Sequence, residues 1–183
     1  MTQRRIHQYE YPYFVTFRTR VDLLLFEDTE YAEILGRIMV NAGRLKRFDI
    51  LAYQIMPDHV HVLVKQNTYA SAAAESRARD GGKCIRPQSP PRISVSAVGD
   101  AGYTISQFMY TVKSYFAKQI RVKYDIPYSI LQPRFYARIV DNDGYLRTVI
   151  EYITFNPIKS ELPAKYHMAP YQFVDGKKIN RLL

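Results

Sequence analysis

Two alternating strands on either side of a proline turn fix the centre of this chain. Ile50 to Ile55 and His59 to Lys65 (HVHVLVK) are rich in β-branched and apolar residues and read as strands. Met56-Pro57-Asp58 between them reads as a turn, because Pro57 has no N–H with which to continue a ladder. On the N-terminal side of this hairpin, Tyr11 to Arg18 (YPYFVTFR) reads as a strand. Thr29 then caps a helix to about Lys46, with Tyr31, Ile34, Leu35, Ile38, Met39, Ala42 and Leu45 at helical spacing. On the C-terminal side, Thr104 and Gln107 form a T-x-x-Q capping box that opens a helix to about Tyr124. Arg134 to Val140 (RFYARIV) is a fourth strand, and Asp143 to Phe155 a last helix stopped by Asn156-Pro157. The first six elements of this β-α-β-β-α-β-α order match the split βαβ unit. The expected fold is α+β: a ferredoxin-like split βαβ sandwich, an antiparallel sheet with helices on one face, plus a C-terminal helical extension. Residues 1–140 are expected to form the domain and 141–183 a C-terminal helix and basic tail.

Gln66 to Gly102 breaks the pattern. It holds small residues, Gly81-Gly82, and Pro87, Pro90 and Pro91, with no apolar period. So long a stretch without elements is unusual inside a compact domain and reads as a mobile insertion, with room for a short helix at Ala72 to Arg79. The formal net charge of +9 favours a polyanionic partner. Sixteen tyrosines and nine phenylalanines among the Lys and Arg suit unstacked bases. A single cysteine, Cys84, excludes an intrachain disulfide. No stretch approaches the roughly 18 apolar residues of a membrane span, and the N-terminus lacks an apolar signal region, so a cytoplasmic protein without a membrane partner is expected.

The chemistry starts at HVHVLV. Strand side chains alternate, so His59 and His61 share one face while Val60, Val62 and Val64 share the other. Two imidazoles so placed can chelate one divalent ion, and a third ligand must come from elsewhere. On the helix from Thr104 to Tyr124, Tyr115 and Gln119 lie four apart on the shoulder of the apolar face. Tyr115 there is expected to face the sheet rather than open water, and the Gln119 amide oxygen could complete a His, His, Gln set. Lys113 and Lys118 flank Tyr115, and with Arg134 and Arg138 they form a candidate phosphate track.

These residues resemble the REP-associated tyrosine transposases, a branch of the single-tyrosine HUH endonucleases used by small insertion sequences. The resemblance runs through YFVTFRT at Tyr13, LLLF at Leu23, MPDHVHVLV at Met56, the helix MYTVKSYFAKQI, and RFYARIVDNDGYLRTVIEYITFNPIKSEL. It implies that His59 and His61 are metal ligands, that Tyr115 is the nucleophile and that Gln119 is the third ligand. It also implies Mg²⁺ or Mn²⁺ as cofactor and a 5′-phosphotyrosine intermediate with a free 3′-OH. The implied partner is single-stranded DNA with a hairpin, REP-like or from an insertion-sequence end, bound by a monomer or a homodimer. The chain departs from the family in its longer central stretch and in having no tryptophan after NPIKSEL.

Other His-pair phosphate enzymes do not fit. A histidine-triad hydrolase needs a third histidine where Leu63 stands, and neither His7 nor His167 starts the H-x-T motif of a two-motif phosphoesterase. The expected function is a transposase-like endonuclease that nicks and rejoins single-stranded DNA; the alternative is a non-catalytic DNA-binding protein derived from one.

Overall fold

The computed structural model describes residues 9–20, 23–67, 102–124 and 130–183. Residues 68–101 of the expected insertion, with the suggested helix at Ala72 to Arg79 and Cys84, lie outside the described residues, while Gln66 ends a strand. Five strands, β1 (Tyr13–Arg18), β2 (Phe48–Ile55), β3 (His59–Gln66), β4 (Tyr136–Ile139) and β5 (Gln172–Val174), form one sheet in the order β4-β1-β3-β2-β5. Every pairing is antiparallel. The first four strands keep the split βαβ order, and the C-terminal segment adds β5 beside β2. Of residues 141–183, only Gln172–Val174 enters the sheet.

The alternation of β3 sorts the molecule into layers. Val60, Val62 and Val64 join Val15, Phe17 and Ile55 in a buried cluster under two helices, α1 (Thr29–Lys46) and α2 (Ile105–Tyr124). Their contribution comes from Ile34, Leu35 and Met39 on α1 and from Phe108, Val112 and Phe116 on α2. A register shift between Ile50 and Ala52 gives β2 an extra residue, and Leu51 and Ala52 both join the opposite face. There Leu51, Ala52 and Leu63 pack against Leu146, Val149 and Ile153 of α3 (Asp143–Lys159) and Ile179 of α4 (Gly176–Ile179). The sheet thus has the two split-βαβ helices on one face and α3 and α4 on the other, while Tyr166 and Tyr171, from the segment between α3 and α4, join the first cluster.

Helix ends show where local chemistry decided. The expected capping box closes in both directions: Gln107 N–H donates to Thr104 Oγ1 at 3.2 Å and Thr104 N–H to Gln107 Oε1 at 2.8 Å. At α1 the cap is Asp28 rather than Thr29, since Asp28 Oδ1 accepts from Glu30 N at 2.8 Å and the Thr29 hydroxyl meets Tyr171 instead. Asn156-Pro157 does not stop α3, which runs on to Lys159. Pro157 removes a single N–H near the helix end and is buried there, while Ser160 N–H still reaches Asn156 O at 3.0 Å. Gly43 lets α1 turn into β2, because a Cβ there would lie 2.7 Å from Phe48 O.

No described helix is long and apolar enough to cross a membrane.

Candidate active site on the histidine face

The turn before β3 is tied down from several sides. Thr19 N–H donates to Asp58 O at 2.8 Å and Phe26 N–H to Pro57 O at 3.0 Å. The Asp58 carboxylate is thereby aimed along the sheet, where it accepts from Arg18 Nη2 at 2.7 Å and from His59 Nδ1 at 2.6 Å. Burial pushes the Asp58 carboxyl up, but the hydrogen bonds and charges of His59 and Arg18 outweigh it and hold the group below its ordinary pKa. Because a carboxylate only accepts, His59 carries a proton on Nδ1, which leaves Nε2 as the atom it turns towards His61.

His61 sits one pleat further on and is 4% exposed. Its Nδ1 lies 2.9 Å from Thr16 Oγ1, and Phe14 stacks on its ring at 5.5 Å. Burial, then the charges of His59 and Arg18, push its pKa down to about 3, so the imidazole is neutral at ordinary pH. Its Nε2 lies 3.1 Å from Nε2 of His59. Two ligands each about 2.1 Å from an ion, at right or tetrahedral angles, stand roughly 3.0–3.4 Å apart. The pair therefore has the spacing of a bidentate chelate, and each Nδ1 has the hydrogen-bond partner that orients a ligating imidazole.

A tyrosine completes the cluster, and it comes from α3. The Tyr152 hydroxyl lies 3.3 Å from His61 Nε2, and its ring meets His61 edge-on at 4.9 Å and Phe14 at 5.9 Å. Leu63 packs with Leu146 and Val149, while Tyr152 stands over His61. The helix accordingly runs antiparallel to β3, and Asn156 follows Tyr152 one turn later. Among the described residues no three His, Cys, Asp or Glu side chains gather for a metal ion. Among the described residues, Asn156 is the amide that α3 carries one turn beyond Tyr152.

Tyr115 and Gln119 lie elsewhere. Both are on α2, which covers the valine face, and both line an apolar groove of about 440 Å³ against Ile38, Asn41 and Leu45 of α1. The sheet stands between them and the histidines. The expected grouping of Tyr115, Gln119, His59 and His61 is therefore corrected: the structure brings the two histidines together and separates both α2 residues from them. The reason is packing. The apolar stripe of α2 needs Val60, Val62 and Val64, and those point away from His59 and His61. Lys113 also departs from its expected place in a phosphate track. Its Nζ donates to the carbonyls of Gln132 and Arg134, each at 2.8 Å, and so pins the entry to β4. Lys118 and Arg134 are exposed, Lys118 on α2 across the sheet, while Arg138 is exposed on the histidine face of β4.

Asp58, Thr16, Arg18, Tyr152 and Asn156 were not among the expected site residues. The signal for the last two was Y-I-T-F-N in the C-terminal helix: a tyrosine and an amide four apart, beside the buried positions Leu146, Val149 and Ile153.

No protein-family model and no curated protein matches this chain. Among solved structures, it is similar to a REP-associated tyrosine transposase bound to a REP hairpin, with a TM-score of 0.60 at 20% identity over 94% of this chain and 81% of that one. It is also similar to a candidate transposase of Deinococcus radiodurans R1, with a TM-score of 0.47 at 17% identity over 90% of this chain and 100% of that one. The first likeness is one of fold.

Proposed function

We propose that this chain acts as a REP-associated tyrosine transposase does in type: a metal-dependent endonuclease that nicks and rejoins single-stranded, hairpin-bearing DNA through one tyrosine, Tyr152. The observation that carries the reading is the meeting of Tyr152 with the His59–His61 pair, its hydroxyl 3.3 Å from His61 Nε2. A phenol, two facing imidazole nitrogens and a neighbouring amide are the parts that a phosphodiester transfer needs.

His59 and His61 would hold a divalent ion through Nε2, with the Asn156 amide oxygen as third protein ligand, and Mg²⁺ or Mn²⁺ suits such a set with waters. When bound, the ion supplies Lewis-acid charge withdrawal from a phosphate oxygen. The chain supplies the rest. Asp58 and Thr16 fix the two rings by their Nδ1 atoms, so that the Nε2 lone pairs stay aimed at one point. Phe14 and α3 keep the His61 side dry and hold the Tyr152 ring edge-on. The Tyr152 oxygen forms a bond to phosphorus and loses its proton, while the bond from phosphorus to the 3′ oxygen breaks and that oxygen takes up a proton. The 5′ side stays on the tyrosine, and attack by a 3′-OH reverses the step without added energy.

The test is a metal-dependent nicking assay on a 5′- or 3′-labelled single-stranded hairpin oligonucleotide. A covalent protein–DNA adduct on a denaturing gel is expected with Mn²⁺ and none with chelator. Cleavage that survives chelation, or a complex that never becomes covalent, would overturn the reading.

A further inference from the structure

α3 lies over β2 and β3, and the same sheet face continues beside it onto β1 and the edge strand β4. Phe14 and Thr16 are half-buried there, and Arg18, Tyr136 and Arg138 are exposed. The register lines these side chains up. Tyr136 pairs with Thr16, and Thr16 pairs with His61, so the three form one row across three strands. At ~4.8 Å between strands, the Tyr136 backbone stands roughly 10 Å from that of His61. Arg138 and Phe14 form the next row.

Tyr136 is 45% exposed, whereas its neighbours Ala137 and Ile139 turn to the core under α1 and α2. Its ring is thus not explained by burial. Arg138 lies beside the phenols of Tyr145, at the start of α3, and Tyr136; the hydrogen bond with Tyr145 comes first among the causes that raise the pKa of a guanidinium that is charged in any case. An exposed arginine on an edge strand discourages pairing with another chain, but that accounts for the charge and not for the ring beside it. A flat π face and a guanidinium held next to it are what one nucleotide offers partners for: base and phosphate.

We propose that Tyr136 is a base-stacking platform and Arg138 its phosphate clamp, together holding a nucleotide about one or two positions from the phosphate that Tyr152 attacks. The inference rests on the proposed function and deepens it. Stacking on a phenol tolerates every base, so this subsite aligns the strand at the histidines without reading its sequence. Recognition of sequence or of a hairpin must lie elsewhere on the protein.

The test uses the full chain carrying Tyr152→Phe, so that binding is read without cleavage, and fluorescence anisotropy with single-stranded oligonucleotides. Each oligonucleotide carries one abasic residue stepped through the positions around the cut. At one position the abasic residue should weaken binding to the otherwise unaltered protein about tenfold. Tyr136→Ala should bind the intact strand about tenfold more weakly and show no further loss at that position, while Tyr136→Phe keeps both the affinity and the abasic penalty. Tyr136→Ile, which preserves strand propensity and removes the π face, repeats the alanine result if the ring and not the strand is responsible. Arg138→Ala should lower the slope of log affinity against log salt by about one. An abasic penalty that persists unchanged in Tyr136→Ala and Tyr136→Ile overturns the platform while leaving the proposed function standing. Absence of single-strand binding before any change at Tyr136 overturns the function and the platform together.

Discussion

The hydroxyl of Tyr152 and Nε2 of His61 meet at 3.3 Å across the interface between α3 and the sheet, with the two rings edge-on at 4.9 Å. The two residues are 91 positions apart in the chain, and Phe14 of a third element touches both rings. The contact unites a sheet surface that orients two imidazoles with a helix that brings a phenol to them. Gln172 strengthens that placement: its Nε2 donates to Gln54 Oε1 at 2.9 Å and to Thr154 O at 3.0 Å, tying α3 to the strand beside His61.

Tyr152→Phe should abolish the covalent adduct, with cleavage reduced by ~10⁴-fold or more, as expected for loss of a nucleophile. The ring and its contacts with Phe14 and His61 remain, so the melting temperature should change little. Tyr115→Phe should retain both cleavage and adduct, because α2 lies across the sheet. Adduct formation lost in Tyr115→Phe and kept in Tyr152→Phe, read on the same denaturing gel, would reverse the assignment.

Mn²⁺ should raise the melting temperature of the wild-type protein, since an ion bound only by the folded chain stabilises it, by about 2.7 kcal/mol at a hundredfold excess over its Kd. His59→Ala removes one of the two facing nitrogens and should eliminate the shift. Asn156→Ala should weaken Mn²⁺ by roughly 10–100-fold, the range seen when a metal site loses an oriented polar group. Calorimetric titration gives the affinities directly. Equal Mn²⁺ affinity in wild type and His59→Ala would remove the chelate from the account.

Much of this architecture was written in local patterns. The proline turn, the two alternating strands and the T-x-x-Q box specify the hairpin and the start of α2, because each depends on neighbours in sequence. The face that carries the histidines was legible too, in HVHVLV: the valines claim the helices of the split βαβ unit, which leaves His59 and His61 turned away from α2. Helical angles within α2 alone place Tyr115 at the edge of an apolar stripe, but they do not say which sheet face the stripe covers. The pairing of β5 with β2, the extension of α3 through Pro157 and the arrival of Tyr152 over His61 depend on contacts between distant segments. No periodicity reports those. The roles of Lys113 and Arg138 were hidden for the same reason, since a cation in sequence does not show whether it caps carbonyls or faces solvent.

Lys113→Ala should cost stability rather than DNA affinity. Its ammonium group donates to the carbonyls of Gln132 and Arg134 and sits near the rings of Phe17 and Phe135. Hydrogen bonds from a charged group contribute about 1.5–3 kcal/mol, so urea unfolding should show a loss of ~1–3 kcal/mol. The salt slope of single-strand binding should stay that of the wild type. A slope lowered by about one with stability intact would return Lys113 to the phosphate track.

The last prediction follows from the buried state of His61. In the unfolded chain its pKa is near the ordinary 6.5, and in the fold it is pushed down to about 3, chiefly by burial. Between those values the unfolded chain binds a proton that the folded chain does not, so stability falls as pH falls. The contribution is complete above pH 6.5, and by pH 4.5 its loss amounts to about 2–3 kcal/mol. The Asp58 carboxyl, held below its ordinary value, acts in the same direction but only at lower pH, below its own unfolded pKa. Chemical denaturation at pH 7.5, 6.5, 5.5 and 4.5 should therefore show a steepening decline below 6.5. In His61→Gln, which keeps a polar side chain beside Thr16 but cannot titrate, the decline between 6.5 and 4.5 should be shallower by that amount. Parallel pH profiles in the two proteins would mean that His61 takes up its proton in the fold as readily as in the unfolded chain, and that the dry pocket formed by Phe14, Thr16 and α3 is open to water in solution.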